Sequence, residues 1–145
     1  MNFSELIQTI LIYALPVVFA ITMHEAAHGY VARKLGDDTA WMLGRVTLNP
    51  MSHIDPLGTI ALPALLYFAS SGNFLFGYAR PVPVRFGNLH HPKRDMIWVA
   101  LAGPAINFVQ ALVWLLAFYL LKHFEVTETY FLKMSLAGVV VNVSM

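Results

Sequence analysis

The chain has 145 residues, 58% of them hydrophobic and 12% charged, with a formal net charge of +1. A soluble domain carries about 25% charged residues, so this composition is that of an integral membrane protein with room for one domain of three or four membrane segments. The near-neutral charge, with basic residues scattered, excludes a nucleic-acid partner. With no cysteine, disulfides and thiolate ligands are excluded, and any metal must be held by nitrogen and oxygen.

The N-terminus, Met1 to Glu5, carries an acid and no Lys or Arg, unlike a secretory signal, so the first apolar segment is expected to be retained. Leu6–Met23 is uncharged over 18 residues. The helical pattern continues to Lys34 and stops at Leu35-Gly36-Asp37-Asp38. Pro16 is a candidate kink, and Ala26, Ala27, Gly29 and Ala32 allow close helix packing. Gly44 to Pro50 alternates polar and apolar side chains, the period of a short strand. Leu57–Ser70 is apolar but only 14 residues long, short for a span and better read as a re-entrant element. Pro81 to Arg85 reads as extended, and could pair with residues 44–48 as a hairpin. Met96–Leu121 forms the second long helix, with Pro92 near its start and a bend at Gly103-Pro104. Tyr130–Met145 begins a third.

The fold class expected is therefore mainly α: a polytopic membrane helix bundle with a short re-entrant or β-hairpin insertion between its first two long helices. Residues 1–145 form a single membrane-embedded domain that is expected to be incomplete at its C-terminus, because a last segment of 16 residues is too short to span. Arg33, Lys34, Arg45, Arg80, Arg85, Lys93 and Arg94 fall between the two long helices. The positive-inside rule then places residues 34–95 in the cytoplasm and 123–129 outside.

At the inner end of the first helix stands His24-Glu25-Ala26-Ala27-His28. Residues i and i+4 of a helix lie one above the other, so both imidazoles point at one place and can hold one zinc ion. Glu25 lies about 100° around the helix, from where its carboxylate can serve as general base toward a water activated by the metal. Ionisable side chains inside apolar segments are functional by default. Three further residues have two readings each. His53 is either a loop histidine or a group that orients a ligand or contacts substrate. Asp55, before Pro56, is a helix cap or a metal-associated carboxylate. Asn107 makes an interhelical bond or lines the site.

Five segments carry a family resemblance: His24 to Gly29, Gly44 to Pro50, His53 to Thr59, Ala79 to Val84, and Ala102-Gly103-Pro104-Ala105-Ile106-Asn107. Together, in this order, they resemble the site-2 protease family of intramembrane zinc metalloproteases in its compact bacterial form. The resemblance implies zinc held by His24 and His28, Glu25 as general base, and a bacterial inner membrane with the active site toward the cytoplasm. The substrate would be a membrane protein with a transmembrane segment, its peptide bonds hydrolysed within the bilayer in regulated intramembrane proteolysis. The same resemblance implies an aspartate as third ligand, in an N-x-x-P-x-x-x-L-D-G segment on the next helix, and no such segment occurs in these residues. They are accordingly expected to be inactive alone. The alternative is a non-catalytic metal-binding membrane scaffold of the same fold, which would not need Glu25.

Overall fold

The computed structural model describes residues 2–72, 77–126 and 128–145. Met1 of the N-terminal segment and Thr127 of the turn expected outside fall beyond them. The main elements are α1 (Phe3–Lys34), α2 (Thr39–Met42), α3 (Leu62–Ala69), α4 (Pro92–His123) and α5 (Thr129–Ser144). Among the described residues there is no β-strand.

Helix α1 begins at a capping box. The Asn2 side chain accepts the Glu5 N–H at 2.8 Å, and the Glu5 carboxylate accepts the Asn2 N–H at 3.3 Å. Two orphan donors of the first turn are thereby satisfied. At 32 residues each, α1 and α4 are about 48 Å long, more than the roughly 30 Å of a bilayer core. Both are apolar enough to cross it. Pro56–Ala61 is a widened π-helical turn that runs directly into α3. Asp55 starts it by accepting the Leu57 N–H at 2.9 Å and the Gly58 N–H at 3.2 Å.

Helices α1, α4 and α5 pack on one another. The pairings His24 with Asn107 and His28 with Val99 make α1 and α4 antiparallel, and Asn107 with Asn142 and Trp114 with Gly138 make α5 antiparallel to α4. Small residues line these helices: Ala20, Ala26 and Ala32 on α1, Gly103 and Ala111 on α4, and Ala137 and Gly138 on α5 are buried, whereas Gly29 of α1 gives room to Ala40, Val46 and Val82. Gly138 lies against the Trp114 ring, leaving no space for a side chain. The interior holds Thr22, Asn107, Gln110, Ser135 and Asn142, whereas Leu11, Phe19, Phe108, Leu112, Leu116 and Val140 face outward. This polar-in, apolar-out distribution suits a hydrocarbon surround.

The hairpin expected between residues 44–48 and 81–85 is absent from the described residues, which corrects the sequence reading. Pro81 and Pro83 have no N–H, and the amide of Val82 is committed to Glu25 at 3.0 Å, so the segment has few donors to give a ladder. Side chains join the two segments instead. Arg45 donates from Nη2 to Arg80 O at 2.9 Å, and His53 donates from Nε2 to Thr47 O at 2.9 Å. The His53 carbonyl accepts the Arg80 N–H at 2.9 Å.

The end of α1 is tied to the start of α4 through Asp37, which is fully buried. Its carboxylate accepts the Thr39 N–H at 3.0 Å, the Thr39 hydroxyl at 2.5 Å, the Arg85 N–H at 2.7 Å and the Asn88 amide at 3.2 Å. Gly36 turns the chain there at φ +115°, and a side chain would strike the His90 ring. Burial by itself raises the Asp37 pKa, but these hydrogen bonds outweigh it and hold the group below its ordinary value of 3.8. Hydrogen bonds to a charged group contribute about 1.5–3 kcal/mol each, so Asp37→Ala should lower stability by at least about 2 kcal/mol. A depressed folded-state pKa places this contribution fully in force above pH 3.8 and removes it as pH falls through the lower folded value. Thermal unfolding in detergent of wild type and Asp37→Asn should therefore differ by a constant amount near neutrality and converge only in strong acid.

Candidate functional site

The face of α1 that meets α4 carries His24 and His28, both half-buried. Opposite them α4 presents Val99, Gly103 and Asn107, spaced by four and so aligned on one face. His28 donates from Nδ1 to the Val99 carbonyl at 2.7 Å. His24 donates from Nδ1 to Asn107 Oδ1. Between these two contacts lies Gly103, where a Cβ would come within 2.5 Å of His28 Nε2 and 2.6 Å of His24 Nε2. The glycine is needed for the approach of the helices.

Because each Nδ1 carries the ring hydrogen, each Nε2 carries a lone pair. The two Nε2 atoms are 3.1 Å apart. Two acceptors facing at that distance repel unless a cation or proton sits between them. Two nitrogens bound tetrahedrally to one zinc at about 2.0–2.1 Å are about 3.3 Å apart. The pair thus fits the metal in both separation and protonation, and the orienting bonds are of the kind that metal-ligating histidines use. Among the described residues no group of three or more His, Asp or Glu side chains comes together.

Glu25 points to the flank of this pair. Its Oε2 accepts the Val82 N–H, and with His24 it lines a cavity of about 560 Å³ walled by Val17, Ile21, Pro63, Tyr78 and Val140. Arg45 lies within electrostatic reach of the carboxylate. Burial and the neighbouring Arg80 lower the Arg45 pKa, and Glu25 acts in the opposite direction.

His53 is fully buried and braces Thr47, and its Nδ1 has no partner among the described residues. Asp55 caps the π-helical turn. Neither comes together with the histidine pair in a metal-binding group. Asn107 does join it. Sequence reasoning missed Asn142, which accepts from Asn107 Nδ2 at 2.7 Å, although a lone amide in an apolar helix was a signal. It also missed the Val82 amide, for which a backbone donor leaves no signal in composition.

Three proteins named "Putative zinc metalloprotease" are similar to this chain. YwhC of Bacillus subtilis (strain 168) is 44% identical over 97 residues, 67% of this chain and 40% of YwhC. Rip2 of Mycobacterium tuberculosis (strain H37Rv) is 32% identical over 102 residues, 70% of this chain and 38% of Rip2. The Rip2 of Mycolicibacterium smegmatis is 30% identical over 97 residues. The chain spans about 40% or less of the length of these relatives. No protein-family profile matches it, and no solved structure does.

Gly103→Ala places a methyl group against both imidazoles and should force α1 and α4 apart. Overpacking of this kind costs about 1–3 kcal/mol. The variant should unfold at lower temperature than Ala102→Gly, which tests the neighbouring position without added volume.

Proposed function

We propose that this chain carries the catalytic core of an intramembrane zinc endopeptidase of the site-2 protease family. The observation that carries the reading is the pair of Nε2 lone pairs on His24 and His28, 3.1 Å apart, with Glu25 beside them on an apolar cavity. The names of the similar proteins, YwhC and Rip2, support it. His24 and His28 would hold the zinc. When bound, that ion supplies Lewis acidity, polarising the scissile carbonyl and making water more acidic. Glu25 takes a proton from the attacking water and passes it to the leaving amine. The Val82 N–H fixes one carboxylate oxygen and leaves the other for that transfer. The substrate is a membrane protein whose spanning segment unwinds at the site, since helical carbonyls are otherwise hydrogen-bonded.

In this reading α1 and α4 cross a bacterial inner membrane, with the site toward the cytoplasm and α3 entering without crossing. Asp37, Arg85 and Asn88 are hydrogen-bonded at one end of the molecule, in keeping with both ends of the 34–95 segment lying on one side. A second reading, a metal-binding scaffold without catalysis, would use the histidine pair and have no need of Glu25.

Elemental analysis of His24→Ala and His28→Ala should show zinc lost from each. Glu25→Gln should keep its zinc while cleavage by the complete protein falls about 10²–10⁴-fold, the usual value of general-base catalysis. Zinc-loaded complete protein that cleaves nothing, wild type included, would decide for the scaffold, and equal turnover by Glu25→Gln and wild type would remove Glu25 as the base. Cysteines introduced at Asp38 and Asn88 of this cysteine-free chain should be labelled by an impermeant reagent from the same, cytoplasmic side. Labelling from opposite sides would mean that residues 57–70 cross the membrane.

A further inference from the structure

Asn142 of α5 is buried, and both ends of its amide are engaged. Its Nδ2 donates to Gly138 O of the same helix at 2.8 Å, which leaves Oδ1 directed at Asn107. The Asn107 amide nitrogen donates to that oxygen at 2.7 Å and toward Ala20 O at 3.4 Å. With its hydrogens used on this side, Asn107 can offer His24 only an acceptor. An acceptor at Nδ1 admits one tautomer of the neutral ring, with hydrogen on Nδ1 and the lone pair on Nε2.

We propose that Asn142 is a positioning residue that, through Asn107, sets the tautomer of His24 and so readies the histidine pair for the metal. The proposal rests on the zinc reading above. Three helices thereby contribute to one ligand: α5 orients an amide of α4, and that amide orients an imidazole of α1. Without Asn142 Oδ1, the Asn107 carboxamide is free to turn over and present its NH₂ to His24. That arrangement selects the other tautomer and puts a hydrogen where the metal would sit.

A buried amide between membrane helices can also serve only to hold them together, and the two roles give different results. Zinc affinity is measured on the full chain in detergent by competition with a chelator, with helical circular dichroism as the check of fold. Groups that orient metal-ligating histidines are worth about 10–100-fold in affinity, and Asn142→Ala, acting one residue further out, should cost about tenfold. Asn142→Ser, too short to reach Asn107, should match it and carries the test if the alanine variant does not fold. Asn142→Asp keeps an oxygen for Asn107 and, as a buried neutral acid, a donor for Gly138 O, so its zinc affinity should stay near wild type. In an Asn107→Ala background Asn142→Ala should cause no further loss, because the effect runs through Asn107 alone. Nitrogen NMR shifts of the metal-free protein should show His24 as the Nδ1–H tautomer in wild type and as a mixture in Asn142→Ala. Unchanged zinc affinity in Asn142→Ala and Asn142→Ser, or an equal loss with and without Asn107, overturns the proposal. Wild type that binds zinc no better than His24→Ala overturns the zinc reading instead.

Discussion

The close approach of α4 to the histidine face of α1 is the constraint on which the site depends. It is possible because position 103 has no side chain, and it brings the Val99 carbonyl and the Asn107 amide oxygen to the two Nδ1 atoms. A ring whose Nδ1 hydrogen is held by an acceptor cannot spin, and in the neutral ring its Nε2 then carries the lone pair. The contact therefore fixes two things together, the direction of each imidazole and the location of its lone pair. A wider crossing would leave the same two histidines on the same helix face with neither property secured.

The carboxylate is positioned by other means. The hydrogen-bond partner of Glu25 is an amide on the connection between α3 and α4 rather than a side chain of the bundle. Pro81 and Pro83 flank that amide, so the segment is stiff and has one donor over three residues. Arg45 anchors it further by donating to Arg80 O. The buried His53 ties it to residues 47–53 from both sides, donating to Thr47 O and accepting the Arg80 N–H through its own carbonyl. The scaffold of irregular chain around Glu25 is thus cross-linked by side chains and isolated backbone bonds where a sheet would have used a backbone ladder.

Much of the fold was legible in the sequence because it follows from local rules. An uncharged run followed by a glycine and two acids marks the end of α1, and the shortness of residues 57–70 distinguishes them from α1 and α4. The histidine spacing fixes a shared face whatever packs against it. The hairpin misled because alternation reports which side chains alternate, and says nothing of whether the partner segment has donors to spare. Those donors were fixed by a contact 57 residues away in sequence, Val82 to Glu25. Asn142 was hidden for a similar reason: its importance lies in the orientation of an amide on another helix, and no pattern within α5 expresses that.

The division of labour between helices and connection has a mechanical consequence. The histidines are held by three packed helices, whose small-residue crossings and interior amides resist displacement. Glu25 lies on one of those helices but takes its hydrogen bond from a segment that also borders the cavity, through Tyr78 and Ala79. Residues 77–79 border the same cavity as His24 and Glu25, so a polypeptide occupying it would lie against that segment. Any shift of that segment alters the bond to Glu25 while the imidazole pair, referred to α4 and α5, keeps its geometry. In the proposed enzyme the metal centre would stay preorganised while the bond that holds the first carboxylate oxygen responds to occupancy of the cavity, with the second oxygen open to proton transfer throughout.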